Sequence, residues 1–202
     1  MSRNVADTPH LPEFTTWSTF PFHGDLRIKP LDGPVESEPE RKGLDPAECH
    51  PCNALDDEYI WVDERWRVRS TKEPTGVPVT LLLEPRVHLD LGDLPNLYAA
   101  ELGVLTVRLE RAIRSIGGVG RVHVYRWGDG SAHMHLWFTA RPYGQLQLRG
   151  TFLPLWEEIL PPVDQTEWRE NLAMIAAVLA DSGGKAILLP APIEWQAPDR
   201  FE

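Results

Sequence analysis

Cysteine is nearly absent from this 202-residue chain: the only two, Cys49 and Cys52, stand together, separated by His50 and Pro51. So small a number excludes the disulfide framework on which small secreted domains rely, whereas so close a spacing suits one metal clip. Long apolar runs are missing too. No segment approaches the roughly 18 consecutive apolar residues that a membrane span requires, and no basic segment followed by an apolar stretch opens the sequence. Positive charge is scarce, with 20 Lys and Arg against 30 Asp and Glu and a formal net charge of -10. That background repels polyanions and argues against bulk nucleic acid as a partner, while leaving room for a small nucleotide held locally. The expectation is a cytoplasmic protein with no membrane partner. Internal repeats and low-complexity segments are lacking, so nothing points to a solenoid or an array. What is present, 42% apolar residues over this length, suffices for one sizeable core with extensions.

Residues 1 to 48 are rich in Pro, Glu and Asp and show no sustained apolar period, which predicts an irregular arm. Trp17, Phe20 and Phe22 suggest that its first half packs on the body, leaving residues 33 to 48 looser. From Tyr59 the texture changes. Tyr59 to Val62, Trp66 to Ser70 and Val77 to Leu83 are short β-branched or aromatic runs separated by turn-prone residues, and they predict successive antiparallel strands. Asp93 then precedes Leu94, Leu97, Tyr98, Leu102, Leu105, Leu109, Ala112, Ile113 and Ile116, with Pro95 near the start, a spacing of one long amphipathic helix that Gly117, Gly118 and Gly120 stop. Glu101, Arg108, Arg111 and Arg114 fall on its expected solvent face. Arg121 to Trp127 and Ala132 to Ala140 predict two further strands around the turn at Gly128, Asp129 and Gly130. Gln145 to Arg149 alternates as a short strand or an extended connection, and Phe152 to Leu160 carries no decisive pattern. Asp164, with Glu167 three residues on, forms a capping-box pattern ahead of Trp168, Leu172, Ile175, Ala176 and Leu179, so a C-terminal helix is expected there, closed by Gly183.

In Ala132-His133-Met134-His135-Leu136-Trp137-Phe138, a strand's two-residue period puts His133, His135 and Trp137 on one face and the apolar residues on the other. Alone, two such histidines are as readily a half-exposed polar face as a site. Their weight rises beside Cys49 and Cys52, because tetrahedral zinc takes four nitrogen or sulfur ligands and a close Cys pair supplies two of them. The remaining ligands lie among His10, His23, His50, His88, His123, His133 and His135, and spacing does not choose between them. His50 is poorly placed inside the pair, His10 and His23 sit in the arm, and His123 alternates with Val122 and Val124 as a surface or satisfied histidine would. The competing reading of the Cys pair is a redox dithiol or two plain thiols, although the strand and following helix of a thioredoxin-like motif are not offered by Pro46 to Asp57.

The order Cys49-His50-Pro51-Cys52, a strand pair, Pro85-Arg86-Val87-His88 leading to Asp93-Leu94, a long helix and His133-Met134-His135 resembles the histidine-triad superfamily. It is closest in pattern to the zinc-containing branch that includes galactose-1-phosphate uridylyltransferase and Hint-like proteins. The resemblance covers roughly residues 49 to 142, which divides the chain into an arm (1 to 48), a histidine-triad-like domain (49 to 142) and a C-terminal extension (143 to 202) whose helix packs on the same domain. Together with the patterns above it implies an α+β fold, an antiparallel sheet of about five strands carrying the long helix and a C-terminal helix. It further implies structural zinc on Cys49, Cys52, His88 and His133, with His135 as the nucleophile. Pairing of two copies through the helix and its adjoining strand, giving a homodimer, follows by analogy.

The implied chemistry is attack of a neutral imidazole on the α-phosphorus of a nucleotide or nucleotide conjugate, leaving a covalent nucleotidyl-histidine that a second acceptor resolves. The other ring nitrogen would donate to a backbone carbonyl and fix the tautomer. The chain departs from the family's third histidine, for which it has Trp137. An indole N–H donates a hydrogen bond but gives no proton to a leaving group. Trp137 therefore either contacts phosphate, stacks on a base or fills the site. Ser131 and Arg141 are the other candidate nucleotide contacts, and Arg149 is a weaker one. Two functions stay open: a nucleotidyltransferase or nucleotide hydrolase acting through His135, and an inactive, zinc-stabilised binding or scaffold protein.

Overall fold

The computed structural model describes residues 10 to 192. Its sheet is built from β1 (Trp61–Val62), β2 (Trp66–Ser70), β3 (Thr80–Pro85), β4 (Val119–Tyr125), β5 (Leu136–Pro142) and β6 (Lys185–Ala186). All neighbours run antiparallel in the order β4-β5-β3-β2-β1-β6. The helices are α1 (His50–Asn53), α2 (Asn96–Arg114), α3 (Leu153–Ile159) and α4 (Gln165–Ala180). The architecture is thus the expected mixed one, with a sixth strand. That strand is two residues long and pairs Trp61 with Ala186, a run too short for any periodicity to announce.

Alternation along the strands separates two faces. Trp66 and Val68 of β2, Leu81 and Leu83 of β3, and Leu136, Phe138 and Ala140 of β5 enter one core. Onto it α2 lays Leu105, Leu109, Ala112 and Ile113, and α4 lays Trp168, Leu172, Ile175, Ala176 and Leu179. Asp164 starts α4 as the sequence suggested, its carboxylate accepting from the backbone N–H groups of Thr166 and Glu167 at 2.8 and 3.1 Å. Leu97 lies outside this core and is exposed, on the face of α2 that also carries exposed Val104 seven residues on.

The opposite face of the sheet is polar and covered only in part. Over it pack α3 and the residues before it, with Val77, Leu148 and Leu153 buried together against Trp156 and Leu160. The arm docks here: Phe14 and Phe20 meet the ring of Phe152 at 5.7 and 5.2 Å, and the Trp156 indole donates to the Thr19 carbonyl at 2.8 Å. Gln145 to Arg149 is not a strand but a 3-10 turn at Leu146–Leu148, because its alternation serves a corner and not a ladder. Glu101, expected on the solvent face, instead receives Arg65 at 2.5 Å and the Trp66 indole at 3.0 Å, joining α2 to β2. No helix among the described residues is long and apolar enough to cross a membrane.

Candidate functional site

α1 is a single turn in which Pro51, locked at the φ a helix start needs, separates the two cysteines. Cys49 and Cys52 are three residues apart, so the turn brings both sulfurs to one side. Three arrangements hold the knuckle in place. The Asn53 amide donates to the Cys49 carbonyl at 2.8 Å and the Ala47 carbonyl at 3.1 Å. Gly43, at φ 68°, passes so near that a Cβ there would lie 3.0 Å from the Cα of Cys49, which requires glycine at that place. Buried Arg67 reaches across from β2 to donate to the carbonyls of Pro51 and Ala54, with its guanidinium 4.2 Å over the Tyr59 ring.

His88 arrives on the segment after β3, which Arg86 ties down through paired hydrogen bonds to Asp56 at 2.8 and 2.9 Å and one to the Asp63 carbonyl. The Arg86 guanidinium in turn holds the Asp56 carboxyl below the usual carboxylate range. His133 comes from the approach to β5. Its Nε2–H donates to the Pro85 carbonyl at 2.8 Å, which leaves the lone pair on Nδ1. That Nδ1 stands 3.4 Å from Cys49 Sγ and 3.5 Å from Cys52 Sγ, while His88 Nδ1 stands 3.3 Å from Cys52 Sγ. The four ligand atoms all lie within 4.8 Å of one another. Tetrahedral zinc with bonds of about 2.3 Å to sulfur and about 2.0 Å to nitrogen sets those atoms about 3.6 Å apart, so the donor set fits a metal ion of that kind. Burial pushes the His133 imidazole below its ordinary value and so keeps it neutral, as a ligand must be. Burial also pushes the Cys52 thiol up to about 11, with Cys49 adding to the shift and Arg67 opposing it. The cluster is therefore poorly disposed to carry bare thiolate without a cation. Of the candidate histidines, His10, His23, His50 and His123 take no part in it.

His133 and His135 do not sit on the strand as the two-residue period implied, for β5 starts only at Leu136. The preceding backbone is committed elsewhere: Ala132 N–H donates to the Lys42 carbonyl at 3.1 Å and Met134 N–H to the Leu89 carbonyl at 2.8 Å. Lys42 in turn forms a parallel bridge with Ser131. Part of the arm expected to be loose is thus stitched to the site, and Arg41 adds hydrogen bonds to Asp90 and to the Gly128 carbonyl. Asp90 also receives Arg126. No short-range pattern in the sequence announced these contacts.

His135 is half-buried, and its Nδ1–H donates to the His133 carbonyl at 2.9 Å, so Nε2 carries the free lone pair. Together with Ser131 and Trp137 it lines a cleft of about 720 Å³, whose walls also include Lys42, Arg69, Lys72, Trp127 and Glu84. The sequence reading passed over these last five. Arg69 is on β2 and pairs with buried Glu84 of β3 at 2.8 Å, and Lys72 stands on the connection that follows, where a surface charge is the ordinary assignment. Trp137 does not fill the cleft. Its ring lies edge-on to His135 at 6.0 Å and parallel to Tyr125 at 6.3 Å. Ser131 Oγ accepts from the His133 N–H at 3.3 Å. Arg141 is elsewhere: near the far end of β5, six residues beyond His135 and about 20 Å away at the strand rise, it lines a separate cavity with Arg121, His123 and Arg149.

No family model and no curated protein matches the chain. Among solved structures it is similar to a hypothetical histidine triad nucleotide-binding protein from Sulfolobus tokodaii, at 14% identity and TM-score 0.49, covering 66% of this chain and 93% of that one. It is similar also to a zinc-bound histidine triad family protein from Mycobacterium smegmatis, at 21% identity and TM-score 0.49, covering 68% and 96%. A uridylyltransferase structure aligns at 19% identity and TM-score 0.44, over 66% of this chain and 45% of that one.

Proposed function

We propose that this chain is a histidine-triad-type protein that binds a nucleotide or nucleotide conjugate beside His135 and acts on its α-phosphate as a nucleotidyltransferase or hydrolase. The observation that carries the reading is the His135 tautomer: with Nδ1–H on the His133 carbonyl, Nε2 offers its lone pair to a cleft walled by Lys42, Lys72, Trp127 and Trp137, with Arg69 paired to Glu84 at 2.8 Å. Cys49, Cys52, His88 and His133 would hold structural zinc, whose part is to lock the knuckle and the His133 segment in place. Residues 49 to 142 would supply the nucleophile and the metal ligands, with Lys42 of the arm completing the cleft wall and the C-terminal extension packed behind.

In the first step His135 Nε2 bonds to the α-phosphorus as the bond from phosphorus to the leaving-group oxygen breaks, and that oxygen leaves with the electron pair. Lys72 and Lys42 stabilise the charge that develops, while Arg69 offsets the Glu84 carboxylate in the same wall, and a proton from solvent neutralises the leaving group where it needs one. In the second step water or an acceptor hydroxyl bonds to phosphorus, loses its proton to solvent, and the nitrogen recovers its electron pair. Trp137 orients phosphate or base and does not serve as the acid. Its presence in place of a third histidine favours, as the second reading, a binding protein that never forms the adduct. A homodimer formed through α2, where Leu97, Val104 and Val107 are exposed, is the expected assembly.

The test is the intact mass of the protein after exposure to nucleoside phosphoramidates, dinucleoside polyphosphates and nucleotide sugars, recorded without acid. A nucleotidyl increment that disappears in His135→Ala supports the enzyme. An unmodified protein across the panel, with the fold and metal intact, leaves the binding protein.

A further inference from the structure

An acidic chain has one strongly basic stretch. Between Arg111 and Trp156 stand Arg111, Arg114, Arg121, Arg126, Arg141 and Arg149, no lysine, and a single carboxylate, Asp129. Three of these arginines, Arg121, Arg141 and Arg149, line a cavity of about 640 Å³ at the end of β4 and β5 far from His135. Among the described residues none of the three pairs with a carboxylate, and the cavity lining includes none. Only backbone carbonyls engage them: Arg121 donates to Gly120 at 2.9 Å, Arg141 to Pro142 at 2.9 Å and Gln145 at 3.3 Å, and Arg149 to Leu146 at 3.1 Å.

The place is shaped by special backbone. The pairing of β4 with β5 slips between Val119 and Arg121, and Gly120 at that slip packs so near Arg141 that a Cβ would stand 2.6 Å from a guanidinium nitrogen. Left-handed turns at Gly144 and Gly150 flank the segment that carries Arg149. Arg141 is only 8% exposed, and a buried cation calls for a counter-charge. His123 beside it is held below its ordinary value, by burial first and by the charge of Arg141 second.

We propose that this cavity is a second ligand site, selective for a small phosphate-bearing anion such as a phosphate monoester or a pyrophosphate. The volume is that of a small-molecule site, and planar guanidinium groups match phosphate oxygens in paired hydrogen bonds. A long polyanion would also meet the net charge of -10 carried by the whole chain, which favours a compact ligand over a nucleic acid. The site stands independently of the proposed chemistry at His135.

The experiment is calorimetric titration of the full chain with inorganic pyrophosphate, repeated on His135→Ala and on the double variant Arg121→Ala/Arg149→Ala, whose side chains are exposed and whose removal leaves the core untouched. Binding should persist in His135→Ala and weaken by at least about tenfold in the double variant. Gly120→Val, which crowds Arg141, should weaken it in the same way while far-ultraviolet circular dichroism is retained. Absence of pyrophosphate binding at low millimolar concentration, or equal affinity in the double variant, overturns the proposal. So does tighter binding of citrate, or of a short single-stranded oligonucleotide, lost in that same variant.

Discussion

The two faces of the sheet are held by different physics, and β5 displays both within seven residues. Leu136, Phe138 and Ala140 point into a core that α2 and α4 close, where volume and apolar area decide. Trp137, Thr139 and Arg141 point the other way, toward hydrogen bonds, charges and open cavities, at the end of a segment that begins with a candidate metal ligand. The apolar face tolerates any residue of the right size. The polar face works only with named donor atoms at named distances, and that is where the chemistry gathers.

Removal of metal is the sharpest way to separate the faces. Chelation, or Cys52→Ser, should cost several kcal/mol of stability, since the free energy of a structural zinc site is folding free energy of order 10 kcal/mol. Elemental analysis should find one zinc per chain before treatment. Thermal unfolding that does not shift on chelation would contradict the cluster's structural role. On the other face, Phe138→Ala should cost about 3–5 kcal/mol through the cavity it leaves, measured by urea unfolding, with zinc content unchanged in the folded fraction.

Arg67 joins the two descriptions, for it stems from β2 and ends on the carbonyls of the Cys knuckle. Arg67→Met should keep much of the packing yet weaken zinc binding about 10- to 100-fold in competition with a chromophoric chelator. An unaltered affinity would reduce Arg67 to a packing residue.

The smallest effect concerns Glu157, which meets Thr80 at 2.6 Å on the polar face. Burial raises its carboxyl above the ordinary glutamate value, against the hydrogen bond from Thr80. A raised folded value contributes stability that is complete below the unfolded value and is lost as pH rises through the folded one. Glu157→Gln should therefore gain on the native chain as urea unfolding is moved from mildly acid pH to above neutrality. A difference that does not change with pH would show that the side chain keeps an ordinary carboxyl.

Particular residues show why some of this was legible in advance. The long helix and α4 were readable because their apolar residues recur with the helical period, and Asp164 because a cap is a local bond. The start of β5 was not, since Ala132 and Met134 give their N–H groups to Lys42 and Leu89, partners 90 and 45 positions away. Likewise Gln145 to Arg149 alternates like a strand but turns a corner as a 3-10 turn at Leu146–Leu148.

By itself the sequence determined the candidate donors, two sulfurs and seven imidazoles, whose chemistry travels with the residue type, and the resemblance singled out His88, His133 and His135 among them. The tertiary structure alone decided which of them meet, that His135 donates through Nδ1, that Lys42 and Arg41 fasten the arm across the site, and that Arg141 stands with Arg121 and Arg149 away from His135. Those outcomes depend on which strand edges pair and which loops cross them, and such long-range choices are fixed by the burial of the whole core rather than by any local run of residues.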